Sequence, residues 1–249
     1  MAVFTDVHGN YAALQAVLKE DIERNEVEHI YCLGDMIAIG QETNQVLETL
    51  FSRNDISMVT GNHDESILAI VEGKEHPVSH SHAKTHHEWI ASRMDPVFVP
   101  KLKSLPRILE GTYVEKNLLM LHYHMEESKR AVHISEDPFA SVGKDPSLEQ
   151  ISAFYLGSTA EIICFGHDHK RYYFATASKI YLNPGALGCY ELPIARYAIL
   201  EIIDSEVNVL FKEVPYNNKN FLLNFRSFGL PEGEFLLTVF HGNQHLNYM

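Results

Sequence analysis

Five short clusters of metal-binding side chains lie between residues 6 and 169. They are Asp6-Val7-His8, Gly34-Asp35, Gly61-Asn62-His63-Asp64, His122 and Gly166-His167-Asp168-His169. Each cluster closes, or directly follows, a short apolar run typical of a β-strand. Carboxylate, amide and imidazole groups together suit divalent metals such as Mn, Fe or Zn. A row of strand ends offering these groups predicts one shared metal site, which makes the chain an enzyme candidate.

The number of potential ligands indicates how many ions this site would hold. The candidates are Asp6, His8, Asp35, Asn62, His122, His167 and His169. Seven ligands are too many for one ion with an open position, but they suit two ions that share a bridging carboxylate. Two-metal sites about 3.5–4 Å across are a common means of hydrolysing phosphate esters. One ion activates a water, and both neutralise charge on the phosphoryl oxygens.

The spacing within the clusters predicts convergent ligands. Asp6 and His8 stand two residues apart, so on an extended chain both would project to the same side. The same holds for His167 and His169. Asp35 follows a glycine, which lets the backbone turn where the ligand leaves its strand. We therefore expect each pair to point into one cavity.

Each cluster taken alone has an ordinary explanation. Gly61, Asn62 and Asp64 are all turn formers, and an isolated His122 would more often be a core or surface residue. Their joint occurrence, in this order and each after a strand, favours the metal site.

The elements that must position these ligands begin as alternating strands and helices. Apolar periodicity predicts strands at 2–5, 29–33 and 56–60, and helices at 10–25, capped by Asn10, and 43–53. This β-α-β-α-β order implies parallel strands with right-handed crossovers. In open α/β sheets the functional site lies at the carboxyl ends of the strands, where the clusters fall.

The second half of the chain is richer in strands. Strands are predicted at 108–114, 118–123, 162–165, 172–175, 179–182, 197–203 and 207–214, with a helix from Ser147 to about 157. A polar loop at 124–146 is long enough to suggest a functional role. The order predicts an α/β fold, a four-layer α-β-β-α sandwich. Two mixed β-sheets would be flanked by helices, with a dinuclear metal site at the strand C-terminal ends.

The domain organisation follows from the same pattern. We expect one metal-site domain over residues 1–215, with a helical insertion at about 65–105. Residues 216–249 would form a C-terminal extension that packs on the same domain.

Composition limits the partners. The net charge of −13 argues against a polymeric nucleic acid held by surface electrostatics. A small phosphorylated substrate stays possible because bound metal ions reverse the local field. The three cysteines are few and widely spaced, which suits a reducing compartment, and Cys32 and Cys164 lie in strand-like runs that predict core positions. With no signal-like N-terminus and no apolar run of about 20 residues, we expect a cytoplasmic protein without a membrane partner.

These clusters, in this order, resemble the calcineurin-like metallophosphoesterase superfamily. Its members carry D-x-H, G-D, G-N-H-[DE], a His and G-H-x-H in succession. The resemblance runs from residue 1 to about residue 215 and is closest to the small bacterial and archaeal phosphodiesterase-like branch. It includes Asn183-Pro184-Gly185-Ala186-Leu187-Gly188, which is similar to an N-P-G-S-x-G segment of that branch.

The resemblance implies a role for each ligand. One ion would be held by Asp6, His8 and His169, and the other by Asn62, His122 and His167, with Asp35 bridging them. A hydroxide bridging the metals would attack phosphorus in line. The ions would be Mn, Fe, Zn or Ni, a choice that the ligand set leaves open.

The resemblance also implies two catalytic side chains. His63 would bind the substrate phosphate and protonate the leaving oxygen, and Asp64 is placed to orient or charge-tune it. Nearby carboxylates would keep His63 cationic.

Two departures from the superfamily pattern stand out. Asp168 replaces the Thr or Ser usual between the last two histidines, and on an alternating strand it would point away from the metals. The segment 34–40 lacks the second Asp and the Arg of the protein phosphatases, which argues against a protein-phosphatase role.

Some further residues have two interpretations. His124, two residues after His122, would share its side and could bind substrate together with Asn62, or it could be a solvated loop residue. The histidines at 76–87 form a lid or, as we favour, a polar helix surface. For Arg93, Lys170 and Arg171, surface solubility is favoured over phosphate contact.

The sequence favours two-metal hydrolysis of phosphate esters. The enzyme would be a phosphodiesterase or nucleotide phosphatase with a small substrate, since the ligands serve monoesters and diesters alike. The alternative is a non-catalytic metal-binding scaffold or protein-interaction member of the same fold. Such a protein would be expected to lose ligands or the catalytic histidine, and this chain keeps all of them. The oligomeric state stays open.

Overall fold

A computed structural model describes residues 1–24, 27–143 and 145–249. In chain order its strands are β1 (Ala2–Phe4), β2 (Ile30–Cys32), β3 (Ile56–Met58), β4 (Ile108–Tyr113), β5 (Lys116–Leu121), β6 (His124–Met125), β7 (Phe139–Ala140), β8 (Ile162–Cys164), β9 (Arg171–Ala175), β10 (Ile180–Pro184), β11 (Ile194–Ile203) and β12 (Glu206–Pro215). Its α-helices are α1 (Tyr11–Gln15), α2 (Thr43–Phe51), α3 (Asn62–Val71), α4 (Lys84–Ala91), α5 (Val99–Lys103), α6 (Leu148–Phe154), α7 (Lys219–Ser227) and α8 (Gly233–His241).

Most described strands belong to two five-stranded mixed sheets. The first has the order β12-β11-β1-β2-β3, in which β1, β2 and β3 are parallel and β11 and β12 run antiparallel. The second has the order β4-β5-β8-β10-β9, in which β5, β8 and β10 are parallel. The carboxyl ends of the parallel strands form the edges that carry the candidate ligands.

The two sheets pack face to face through small and branched apolar side chains. The layer between them includes Val3 and Leu200 of the first sheet and Met120, Ile162 and Leu182 of the second, all nearly inaccessible to solvent. Alternate residues of each strand face the opposite side, as the two-residue period of a strand requires. The inter-sheet layer is therefore a dry core.

Helices cover the outer faces of both sheets. Leu14 of α1 and Leu47 of α2 pack against Phe4 and Tyr197 on the first sheet, and Ile151 of α6 packs against the second. The predicted four-layer arrangement is thus confirmed. Each helix in the described part of the chain is too short or too polar to span a bilayer.

The first helix differs in detail from its prediction. Asn10 caps it as expected, since its side-chain oxygen accepts a hydrogen bond from the Ala13 N–H at 3.0 Å. After Gln15 the helix continues as a π-helical segment, Ala16–Ile22. The prediction extended to residue 25, which lies outside the described residues.

The predicted loop at 124–146 contains short regular elements. β6 and β7 pair as a small antiparallel hairpin, and 3-10 turns occur at Glu127–Lys129 and Ile134–Glu136. Two-residue strands and single turns carry too little periodicity to be recognised in a sequence. Residue 144 of this loop lies outside the described residues.

The insertion and the C-terminal segment both pack near the ligand edge. Leu102 of the insertion belongs to the same apolar cluster as Leu14 and Leu47, and Trp89 packs against that cluster. Phe221 of α7 and Leu237 of α8 form a separate apolar cluster with Ile39 and Ala186. A 3-10 segment, Gln244–Tyr248, follows α8.

A close backbone contact joins the two sheets at the ligand edge. Thr5 forms an isolated parallel bridge with Ala186, and the Gly188 N–H donates to the Asp6 carbonyl at 3.0 Å. A Cβ atom at Gly188 would lie 1.9 Å from the Val7 carbonyl oxygen. The segment after β10 can lie this close to the Asp6–His8 turn only because residue 188 is glycine.

Replacing Gly188 with alanine should therefore destabilise the protein. Gly188→Ala should lower the free energy of unfolding by roughly 1–3 kcal/mol, because the clash is with backbone that cannot rotate away. Urea denaturation of metal-free protein measures the effect. Gly111→Ala is the matched control, since its Cβ would meet nothing within 4 Å. Equal midpoints for the two variants would contradict this account.

A buried histidine in α8 should make stability depend on pH. The His241 ring lies between Phe221 and Phe225, at centroid distances of 5.4 and 5.6 Å. Burial, and to a smaller extent His8 and His169, lowers the pKa of His241 to about 3 from its ordinary 6.5. The unfolded chain therefore binds a proton more readily than the folded protein. The stability that neutral His241 contributes is present above pH 6.5 and is lost as the pH falls toward 3.

His241→Leu should remove this pH dependence. Wild type should lose about 2 kcal/mol of unfolding free energy between pH 7 and pH 5 through this residue, and the variant should not. Chemical denaturation at both pH values gives the comparison. Parallel pH profiles for wild type and variant would refute the assignment.

Candidate metal centre

The seven candidate ligands meet where the carboxyl edges of the two sheets face each other. Asp6 and His8 follow β1, Asp35 follows β2, and Asn62 begins α3 just after β3; His122 follows β5, and His167 and His169 follow β8. Both sheets contribute to the same cluster. The backbone N–H of His167 on the second sheet also donates to Asp6 Oδ2 on the first, at 3.1 Å.

One group of ligands surrounds Asp6. The Nε2 atoms of His8 and His169 lie 2.9 Å apart, and Asp6 Oδ1 lies 3.5 and 3.4 Å from them. Asp6 Oδ1 is buried and has no hydrogen-bond partner among the described residues. A buried carboxylate oxygen without a partner, facing two ring nitrogens, fits a metal ion.

A second group surrounds Asn62. Its Oδ1 lies 3.1 Å from His122 Nε2 and 2.8 Å from His167 Nδ1. Asp35 Oδ2 lies 3.1 Å from His122 Nε2 and 3.9 Å from His8 Nε2. The carboxylate of Asp35 thus contacts both groups, the position that a bridging ligand requires.

In His8 and His122, the Nδ1 atom contacts a backbone carbonyl, which fixes the orientation of the ring and directs Nε2 toward the cluster. His122 Nδ1 lies 2.7 Å from the Leu33 carbonyl, and His8 Nδ1 lies 3.3 Å from the Ile37 carbonyl. A carbonyl accepts only from an N–H, so each Nδ1 carries the proton. Each Nε2 is therefore directed at the cluster and is the nitrogen that would bind a metal, as in metal-binding histidines. The residues present therefore fit divalent metal ions.

The backbone at these ligands is not the extended chain that we predicted. Asp6, His8, Asp35, His167 and His169 all adopt left-handed conformations, with φ of 55°, 49°, 50°, 72° and 58°. The ligands leave the strands at tight turns, so two-residue alternation is not what makes them converge. Asp and His tolerate this conformation better than most residues. Strain of this kind, about 1–3 kcal/mol per residue, is typical of functional sites.

The charges inside the cluster depend on one another. Burial alone would raise the pKa of Asp6, but the neighbouring imidazoles, His169 foremost, lower it well below the usual range. The pKa of Asp35 is likewise lowered despite burial, chiefly by His122. Both carboxylates are therefore ionised, as metal ligands must be.

His63 stands beside the cluster in an environment that differs from our expectation. Its backbone N–H donates to Asp35 Oδ1 at 2.9 Å, and its Nδ1 lies 2.7 Å from His87 Nε2. Burial lowers the pKa of His63 well below 6.5 despite the opposing effect of Asp35, and His87 and His8 lower it further. The structure therefore favours a neutral imidazole, where the sequence had predicted a cationic one.

Asp64 does not orient His63. Its carboxylate accepts hydrogen bonds from the backbone N–H groups of Gly61, Met36 and Ile37 at 3.0, 3.0 and 3.2 Å. Asp64 is the third residue of α3, and a carboxylate at that position reaches back to the amides preceding the helix. It fixes the loop that carries Asp35 and acts on the site through the backbone.

Two histidines of the insertion reach the site, although the sequence favoured a polar surface for them. His87 contacts His63, and His80 Nε2 lies 3.2 Å from the Asn62 amide nitrogen. His87 is completely buried. His87 lies three residues before Ile90, which is also buried, so both residues lie on the inner face of α4. This spacing was the signal in the sequence that could have identified His87 as buried.

The remaining sequence candidates have partners outside the cluster. The chain bends at residues 122 and 123, so His124 does not share the side of His122; its ring packs on Phe154 at 4.4 Å. Arg93 stacks on Trp89, Lys170 pairs with Asp145, and Arg171 pairs with Glu213.

The end of β10 forms hydrogen bonds with the turn that carries His167. Asn183 donates to the Gly166 carbonyl at 2.8 Å and accepts from the Gly185 N–H at 2.9 Å. Cys32 and Cys164 are buried in the core as predicted, and Cys189 is buried as well.

Comparison with known proteins agrees with this geometry. An uncharacterized protein of Methanocaldococcus jannaschii is 26% identical over 228 residues, covering 84% of this chain and 86% of its own length. A hypothetical protein from Pyrococcus horikoshii superposes with a TM-score of 0.78 at 19% identity, covering 97% of this chain and 98% of that one. A metallophosphoesterase from Sphaerobacter thermophilus superposes with a TM-score of 0.70 at 22% identity, covering 95% and 96%.

The two superpositions show a shared fold over nearly the whole chain. The family model of the calcineurin-like phosphoesterase superfamily domain matches residues 1–205. That span contains all seven candidate ligands and His63. The chain therefore belongs to the calcineurin-like phosphoesterase superfamily.

Proposed function

We propose that this metal-dependent phosphoester hydrolase cleaves a small phosphodiester with two metal ions and with His63 as the acid. The observation that carries the proposal is Asp35, whose carboxylate lies between two groups of convergent ligand atoms while its other oxygen accepts from the His63 backbone. Asp6, His8 and His169 would hold one ion, and Asn62, His122 and His167 the other. When bound, the ions supply an activated water and neutralise phosphoryl charge.

His63 is placed to donate a proton to the leaving oxygen. Its Nδ1 faces His87, so Nε2 is the nitrogen that would meet the substrate. A neutral imidazole with its proton on Nε2 can still act as an acid if its other nitrogen receives a proton in return. Positioned acids of this kind contribute about 10²–10⁴-fold in rate.

The surroundings of the cluster favour a diester over a monoester. A monoester carries a second negative charge, which cations at the distal oxygens would have to neutralise. Three imidazole rings pack around His63, those of His80, His87 and His8, at ring distances of 5.5, 4.9 and 5.4 Å. Burial lowers the pKa of His80 and of His87, and neutral imidazoles at these two positions suit the single charge of a diester.

The hairpin β6–β7 adds an aromatic wall. Phe139 lies 5.2 Å from the His80 ring and 5.8 Å from the His167 ring, and Tyr123 packs against Phe139 at 5.3 Å. Flat side chains at this distance from the ligands would pack against a ring of the substrate. An aryl or nucleoside group on the phosphodiester fits this wall.

Hydrolysis by metal-depleted protein with single metals restored tests the proposal. Mn, Ni, Zn, Fe and Mg would be added separately, with bis-para-nitrophenyl phosphate and para-nitrophenyl phosphate as parallel substrates. We expect turnover only with added metal and a higher kcat/KM for the diester. A preference for the monoester would refute the diester assignment, and no turnover with two bound metal equivalents would refute the catalytic one.

Two substitutions should separate catalysis from metal binding. His63→Ala should lower kcat by about 10²–10⁴-fold and leave two metal equivalents bound, because His63 is not a ligand. Asp35→Asn should reduce both activity and metal content, because it removes the charge shared by the two groups. Metal analysis of purified variants, paired with steady-state rates, gives the comparison.

His29→Ala is the control for these variants. His29 contacts Ser57 at the opposite end of the first sheet, so both quantities should be unchanged. Loss of metal in His63→Ala would contradict the assigned roles.

A further inference from the structure

Three histidines form a continuous line from the metal centre to the protein surface. His63 Nδ1 lies 2.7 Å from His87 Nε2, and His87 Nδ1 lies 2.7 Å from His76 Nε2. His76 is only partly buried and lines an open cavity of about 750 Å³ on the insertion. Each contact joins two ring nitrogens at hydrogen-bond distance, so each must hold one proton.

The middle histidine has no carboxylate at hydrogen-bond distance in the described chain. His87 is completely buried in α4, and its hydrogen-bond contacts are His63 and His76. Burial, with smaller effects of His86 and His76, lowers the pKa of His87 to about 2. The ring is therefore neutral, and one of its nitrogens donates while the other accepts.

One arrangement of the protons satisfies both contacts and leaves a proton on His63 Nε2. If His63 carries its proton on Nε2, its Nδ1 must accept from His87 Nε2–H. His87 Nδ1 then accepts from His76 Nε2–H. All three rings share the same tautomer, and the two contacts are both satisfied.

We infer that His87 and His76 position His63 and replace the proton that it gives to the leaving oxygen. The inference rests on the proposed role of His63 as the acid. As the oxygen of the attacking water bonds to phosphorus and the bond between phosphorus and the leaving oxygen breaks, His63 Nε2 gives its proton to the leaving oxygen. His87 Nε2 passes a proton to His63 Nδ1, His76 Nε2 passes one to His87 Nδ1, and water supplies one to His76 Nδ1.

Every ring stays neutral in this sequence and ends in its other tautomer. One proton enters at His76 as one leaves at His63, so charge and atoms balance. After product release, water protonates His63 Nε2 and the same path releases a proton at His76. The line returns to its starting tautomers without any other reagent.

The test is the dependence of rate on the leaving group. Metal-loaded enzyme would hydrolyse methyl aryl phosphodiesters whose leaving groups range from para-nitrophenol to phenol. Phenol needs protonation as it leaves, and para-nitrophenol hardly does. The variants are His63→Ala, His87→Gln, His87→Ala and His76→Ala, each checked for metal content.

We expect His63→Ala and both His87 variants to lose about 10²-fold more rate with the phenyl ester than with the nitrophenyl ester. Glutamine at 87 can hydrogen-bond to His63 but cannot pass a proton on. His76→Ala should show a smaller loss of the same kind, and added imidazole should restore it because that end of the line is open. His82→Ala, an exposed histidine of the same segment, should leave all rates unchanged.

The outcomes separate this inference from the proposed function. If His63→Ala leaves the leaving-group dependence unchanged, His63 is not the acid and both fail. If His63→Ala changes it but His87→Gln and His76→Ala do not, only the inference is overturned. Should His87→Ala not fold, the other two variants still decide the question.

Discussion

Asp6 and Asp35 hold their carboxylates inside the molecule, where an ionised group without compensation is unstable. Imidazoles surround both of them, and the mutual attraction keeps the carboxylates charged. Burial favours the neutral form of His63 and His87 as well, and at these two residues no neighbouring carboxylate outweighs it. One buried, mutually dependent set of charges thus divides the site into ionised carboxylates and neutral imidazoles.

The fold provides the geometry that this charge arrangement needs. Parallel strands of both sheets end at one edge, and glycine allows the segment after β10 to lie against the Asp6 turn. Five of the candidate ligands then leave their strands in left-handed turns. Asp64 stabilises the turn at Asp35 by accepting hydrogen bonds from the backbone N–H groups of Met36 and Ile37. Backbone conformation, more than side-chain length, brings the ligands together.

The sequence predicted the strands, their parallel order and the ligand edge, because hydrophobic period and motif order are local signals. The sequence predicted that Asp6 and His8 converge because they lie two residues apart on an extended chain. In the structure they converge because both lie in left-handed turns, and the residue types at these positions do not distinguish the two conformations. The sequence assigned the wrong partner to Asp64, because a carboxylate at the third residue of a helix can contact either a neighbouring side chain or the backbone amides that precede the helix. The contact of His87 with His63 joins residues 24 apart. The spacing of His87 and Ile90 indicates the inner face of α4, but only the packing of the insertion decides which residue His87 contacts there.

The ligands come from both sheets, and this has a consequence for folding. Asp6 and Asp35 follow strands of one sheet, and His122 and His169 follow strands of the other. Each ion would therefore bind residues from both sheets and link the sheets to each other. A ligand that binds only the assembled state adds its binding free energy to the assembly. Metal binding would then stabilise the contact between the two sheets. A chelator would lower the free energy of unfolding as well as the activity.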